Sequence, residues 1–174
     1  MAVIKRDGFG QVEPNHMSAQ RTGQIYAQLI ADASIKIIEN GMFMKYDYEN
    51  RKAVVDKSVA GEWLLVYNEE KLYDPRKQNH KYFAMQKKDY VDGEMTPRLF
   101  KTNIGDIFTT NTVEPNTSDE ATTTGVTINL GDLMEVGTNG YLTVVAAPTG
   151  MAFKVVAITE MPDMQPAVKL QRVQ

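Results

Sequence analysis

The chain of 174 residues holds two histidines, His16 and His80, and no cysteine. A nucleophile needs a positioned base beside it. His16 falls in a stretch broken by glycine and proline, His80 in a polar one, and no Gly-x-Ser-x-Gly elbow accompanies either. No His-x-x-x-His pair suggests zinc, and "DGFGQ" at 7–11 lacks the strand-to-helix frame of a phosphate loop. Two carboxylates across a cleft can hydrolyse a glycoside, and Glu69, Glu70 and Asp74 are the candidates. A solvated turn explains that trio equally well. Trp63, the single tryptophan, reads as core or, with nearby tyrosines, as a platform for a sugar ring. No catalytic, cofactor or metal site is expected.

One phrase occurs twice: "NIGDIF" at 103–108 and "NLGDLM" at 129–134. Each sets Gly-Asp at the mouth of a strand. Glycine supplies the backbone freedom of a bulge or tight corner, and aspartate accepts from nearby backbone N–H groups. A calcium site needs several oxygen ligands at close spacing, which neither Asp106 nor Asp132 has around it in sequence. The pairs therefore read as corners, with Ile104, Ile107, Leu130 and Leu133 expected to pack inward.

The elements around them are β-rich. Asn40-Gly41 is a hairpin signal, followed by alternation of Met42, Met44, Tyr46 and Tyr48 with Phe43, Lys45, Asp47 and Glu49. The apolar run Trp63–Tyr67 reads as a buried strand. Residues 81–90 fit one helical segment or an irregular strand. From Pro97 onward, turn signals recur at about ten-residue spacing, as in a small barrel or sandwich. The fold class is mainly β: a small antiparallel β-barrel or sandwich with an extended N-terminal arm and at most one short helix. Its divisions are an arm over 1–30, a β-rich region over 31–98 that belongs to the same domain or a separate one, and a barrel-like region over 99–174.

The arm, broken by Gly8, Gly10, Pro14 and Gly23, is too sparsely apolar to fold alone. It needs a surface to lie on, either its own body or a neighbouring subunit. Deleting residues 2–24 is expected to leave a folded protein.

Composition narrows the function classes. The chain is 43% hydrophobic and 24% charged, so a packed core is expected. A net charge of −3 does not favour nucleic acid or an anionic membrane as partner. The basic residues Arg76, Lys77, Lys81, Lys87 and Lys88 read as a solvated face. Residues 102–153 carry six acids and no Lys or Arg, a face that is merely solvated or that selects a charged partner. No apolar run is long enough to span a bilayer, and the N-terminus lacks the apolar core of a secretory signal.

Several stretches together carry a resemblance: "MAVIKRDGFGQVEPNHMSAQRTGQIYAQL" at the start, "ENGMFMKYDY", "GEWLLVYNEEKLYD" and "FKTNIGDIFTTN" in the middle, and "MPDMQPAVKLQRVQ" at the end. They resemble small proteins encoded in the head-gene clusters of tailed bacteriophages, and "LGDLMEVGTNGYL" is similar to the β-barrel of capsid decoration (cement) proteins. The resemblance implies a non-enzymatic virion protein, assembled in the host cytoplasm and bound to the outer surface of a capsid. Its partners would be the major capsid protein and further copies of itself, a trimer being favoured. The polar loop 114–125 and the long arm exceed what a minimal cement domain needs. On that reading the arm anchors are Arg6, Phe9, Arg21, Ile25 and Tyr26, because arginine and aromatics are favoured at interfaces. The alternative is a surface-displayed carbohydrate- or receptor-binding module.

Overall fold

A computed structural model describes residues 1–6, 8–18, 25–68, 84–114 and 125–174. The architecture is mainly β. The N-terminal part contributes β1 (Ala2–Ile4), β2 (Val12–His16), β3 (Ile25–Tyr26) and β4 (Ile30–Ala31). Next come β5 (Ile37–Glu39), β6 (Phe43–Asp47), β7 (Lys52–Val54), β8 (Leu64–Val66) and β9 (Ala84–Gln86). Two 3-10 turns, Lys87–Asp89 and Val91–Gly93, follow; the helical option for 81–90 is not realised over its described part. The chain ends with β10 (Leu99–Phe100), β11 (Ile107–Thr110), β12 (Val126–Ile128), β13 (Leu133–Val136), β14 (Leu142–Val145), β15 (Ala152–Glu160) and β16 (Pro166–Arg172).

Two six-stranded sheets organise these elements. One is antiparallel and curled, in the order β14-β13-β15-β16-β11-β2. Past β11 the chain swings across to β14: Leu142 N donates to Thr112 O at 3.4 Å and Glu114 N to Leu142 O at 2.8 Å. That crossing draws the two sides of the curl together. The other sheet has the order β3-β10-β8-β6-β7-β4, antiparallel except for the parallel pair β4–β7. Two-stranded pairs, β1–β12 and β5–β9, complete the set.

The central strands of the second sheet, β6, β8 and β10, are buried on both faces over nearly their whole length, which explains their apolar runs. Phe43, Leu65, Tyr67 and Phe100 project from one face into the curled sheet, joining Phe108, Phe153, Met134, Val155 and Leu170. Phe43, Phe108 and Phe153 form a triangle of rings with centroids 6.2, 5.2 and 5.4 Å apart. Met44, Tyr46, Leu64, Val66 and Leu99 project from the other face against Ile38, Met85, Met95 and Tyr141. The alternation along β6 is thus a division between two cores, not between core and water.

The N-terminal segment is extended, as expected, and lies on its own chain. β1 pairs with β12, β2 with β11, β3 with β10 and β4 with β7. Ile4, Arg6, Val12 and Met17 are all buried. Removing residues 2–24 would strip these side chains from the core, so the expectation of a folded truncation is corrected.

Candidate functional site

The repeated corner has one construction. In Asn103-Ile104-Gly105-Asp106, Asp106 N donates to Asn103 O at 3.0 Å, and Gly105 takes φ +94°. In Asn129-Leu130-Gly131-Asp132 the corresponding bond is 3.2 Å and Gly131 has φ +91°. A turn with φ positive at its third residue is type II. Each glycine N–H donates to a strand residue, Arg172 in one case and Val155 in the other. That same residue's N–H returns to the aspartate carbonyl. This is a glycine-type β-bulge.

A third corner, not apparent as a repeat in sequence, uses the same device. Glu39-Asn40-Gly41-Met42 has φ +91° at Gly41, with Gly41 N to Val66 O at 2.9 Å and Val66 N to Met42 O at 2.7 Å. All three corners carry the chain from one sheet to another: β5 to β6, β10 to β11 and β12 to β13. Sheet-switching corners are commonly built from bulges. Asn40-Gly41 is therefore a turn but not the expected hairpin, since β5 pairs with β9 while β6 pairs with β7 and β8. Asn139-Gly140 does close a hairpin, β13–β14.

The two aspartates differ in load. Asp106 is buried and accepts from Ser18 N at 2.9 Å, Ser18 Oγ at 2.8 Å and Asn103 N at 2.8 Å, tying the end of the N-terminal segment to the corner. Asp132 is half-buried and accepts from Asn129 N at 2.7 Å. Both act as turn locks. Ile104 and Leu130, expected to point inward, are instead 72% and 66% exposed. The second residue of such a turn sits at the apex, so its side chain is carried away from the sheets.

A buried polar seam crosses between the two cores. Arg6 Nη1 lies 2.7 Å from Glu39 Oε2, with side-chain exposures of 0% and 1%. The Arg6 guanidinium also sits over the Tyr141 ring, 5.5 Å from its centroid. Burial pushes the Glu39 carboxyl up, with the Arg6 charge pulling against it. Burial, then the Glu39 charge, pushes the Tyr141 phenol well above its ordinary range. Around the pair, Thr112 Oγ1 donates to Asn40 O at 2.8 Å, Thr110 Oγ1 to Gln11 O at 2.6 Å, and Asn68 N to Asn40 Oδ1 at 2.7 Å. Gly41 admits both threonines, since a Cβ there would stand 2.5 Å from Thr112 Oγ1 and 2.6 Å from Thr110 Oγ1, and Gly10 leaves room for Thr112 and the Arg6 guanidinium.

The expected arm anchors are scattered. Arg6 is sealed inside its own fold, so its guanidinium is not presented to a partner, a correction that follows from the Glu39 pairing. Phe9 is half-buried. Arg21 lies outside the described residues, and Ile25 is placed only through the backbone of β3. Tyr26 is half-buried in a surface groove of about 360 Å³ that is also lined by Tyr48, Glu62, Lys101 and the buried Tyr46 and Leu64. Sequence reasoning did not single out this groove, because its aromatics come from β3, β6 and the turn after β6.

The charged stretches resolve into separate jobs. Of the acids in 102–153, Asp106 and Asp132 lock corners, while Glu135 lies 3.8 Å from Lys57. Lys87 donates to Ala33 O at 2.8 Å and Lys88 is exposed. Asp119 and Glu120, the basic residues Arg76, Lys77 and Lys81, and the hydrolase candidates Glu69, Glu70 and Asp74 lie outside the described residues, as does His80. His16 is exposed at the end of β2. Trp63 is half-buried against the first core, with Lys45 Nζ 4.8 Å from its ring centroid. Among the described residues, no group of three or more His, Cys, Asp or Glu could hold a metal ion, and no helix is long and apolar enough to cross a membrane. No protein-family model, curated protein or solved structure matches the chain.

Proposed function

We propose that this chain is a non-enzymatic structural protein of a tailed-phage virion that binds the outer surface of the capsid and decorates or stabilises it. Support comes from the family resemblance spread over the chain, from the mainly β body, and above all from the two exposed corner tips. Ile104 and Leu130 are large aliphatic side chains held outward on rigid, doubly hydrogen-bonded corners. A rigid apolar knob loses little conformational freedom on docking, so a modest contact area is used efficiently. Such a protein works by repetition: many weak contacts on a symmetric lattice add up through avidity. Homotrimers at local symmetry axes would multiply the tips further. The proposed contact residues thus move from the N-terminal arm to the corners.

Cosedimentation tests this. The full chain, mixed with expanded heads of the phage that encodes it and lacking their own copy, is expected to pellet with them at a saturable stoichiometry. Failure to bind heads from that phage, with the chain folded, contradicts the reading.

A further inference from the structure

The groove containing Tyr26 has the make-up of a ligand site that the capsid reading neither uses nor requires. Its floor is Tyr46, whose ring meets Tyr26 edge-on at 6.3 Å and Tyr48 at 5.7 Å with a 56° tilt. Tyr48 is 67% exposed, so much of its ring is open to solvent. The walls are fixed. Asp47 Oδ1 accepts from Glu49 N at 3.1 Å and Asn50 N at 3.0 Å, which sets the turn carrying Tyr48. Lys45 Nζ donates to Val59 O at 2.6 Å and Lys57 O at 3.3 Å, and this pins the loop that brings Gly61 and Glu62 to the rim.

The polar rim tells which ligand fits. Glu62 Oε1 lies 2.5 Å from Arg172 Nη1, and Glu62 Oε2 lies 3.5 Å from Lys101 Nζ. The carboxylate is therefore neutralised but keeps acceptor capacity, while the half-exposed ammonium has N–H groups to spare. Aromatic cages with an uncompensated carboxylate suit a quaternary ammonium. Here two cations already attend the carboxylate, and a third would meet the Lys101 charge. A sugar ring meets no such penalty: its C–H faces stack on phenol rings, while its hydroxyls both donate and accept. Largely apolar walls with a few placed polar groups are the general pattern of small-molecule sites.

We infer that the groove of Tyr26, Tyr46 and Tyr48, rimmed by Glu62 and Lys101, binds a hexopyranose unit of a glycan. The ring stacks on Tyr48, and Glu62 and Lys101 take its hydroxyls. Trp63, weighed in the sequence as core or as a sugar platform, is not among the residues that line the groove.

The test is saturation-transfer NMR and calorimetry on the full chain in free solution, so the outcome is independent of capsid binding. The probes are the methyl pyranosides of glucose, galactose, mannose and N-acetylglucosamine, with choline as the rival. At least one pyranoside is expected to bind, with Tyr48→Ala weakening it about tenfold, the equivalent of ~1.4 kcal/mol, and Tyr48→Phe retaining it. Lys101→Met is expected to weaken it as well. Circular dichroism checks that each variant is folded. Absence of binding to every pyranoside by the folded protein overturns the proposal. So does binding of choline alone, or pyranoside binding that neither Tyr48→Ala nor Lys101→Met alters.

Discussion

Arg6 Nη1 lies 2.7 Å from Glu39 Oε2, both side chains are sealed from water, and the pair joins the segment after β1 to the end of β5. Arg6 Nε and Nη2, Glu39 Oε1 and the Tyr141 hydroxyl are also buried, and among the described residues none of them has a partner in good hydrogen-bond geometry. Desolvation of such a pair consumes most of its Coulomb attraction, but removing one member strands the other. Arg6→Met is expected to destabilise the chain by about 3–5 kcal/mol. The double change Arg6→Met with Glu39→Met should recover most of that loss. Urea melts of the three proteins measure both steps, and a double variant as unstable as the single one would contradict the reasoning.

Glu39 also makes stability depend on pH. Burial raises its carboxyl above the ordinary value of 4.5, so the folded chain holds this proton more tightly than the unfolded chain. The contribution of Glu39, taken as the difference from Glu39→Gln, is most favourable below pH 4.5. It declines as pH rises from there through the raised folded value. Denaturation midpoints of both proteins from about pH 4 to about pH 8 should show that difference shrinking with pH. A difference that grows with pH would mean that Arg6 outweighs burial.

The corner glycines separate backbone strain from crowding. Gly41 and Gly131 share φ +91°, but nothing lies within 4 Å of a Cβ on Gly131, whereas one on Gly41 strikes Thr110 and Thr112. Gly131→Ala is expected to cost about 1–2 kcal/mol, the left-handed penalty alone. Gly41→Ala adds about 1–3 kcal/mol of overpacking. Thermal melts rank the two, and equal costs would contradict the assigned crowding.

A similar contrast holds for the aspartates. Asp106→Ala removes the acceptor of Ser18 N, Ser18 Oγ and Asn103 N in a buried place and is expected to cost about 3 kcal/mol. Asp132→Ala leaves Asn129 N to water and should cost about 1 kcal/mol. Hydrogen exchange at Ser18 should quicken in the first variant and not in the second.

Much of this architecture was legible in the sequence. The Trp63–Tyr67 run gave a buried strand, and the turn signals after Pro97 gave successive strands that end in β16. The direction each corner takes was not legible. A type II turn at Asn40-Gly41 and a hairpin turn at Asn139-Gly140 read alike, because the choice between pairing back and switching sheets depends on Val66, distant in sequence. The outward pose of Ile104 and Leu130 was missed for a related reason. An apolar residue beside Gly-Asp suggests burial by its type, yet its place at the apex of the turn overrides that preference. Arg6 shows the opposite error: its residue type suggested a place at an interface, but it is buried against Glu39, a partner 33 residues away that no local pattern links to it. The tyrosine groove joins residues from β3, β6 and the loops near Glu62 and Lys101, and no local pattern announces it.

Occupancy on the capsid lattice, compared between the native chain and Ile104→Asp with Leu130→Asp, tests the central proposal most directly. Both side chains are solvent-exposed, so the double variant should keep its stability within about 1 kcal/mol. The prediction is that heads lacking their own copy bind the native chain to saturation and the folded double variant at least about tenfold more weakly, the equivalent of ~1.4 kcal/mol per site. Equal occupancy by both proteins would contradict the assignment of the corners as capsid contacts, and no occupancy by either would contradict the capsid reading itself.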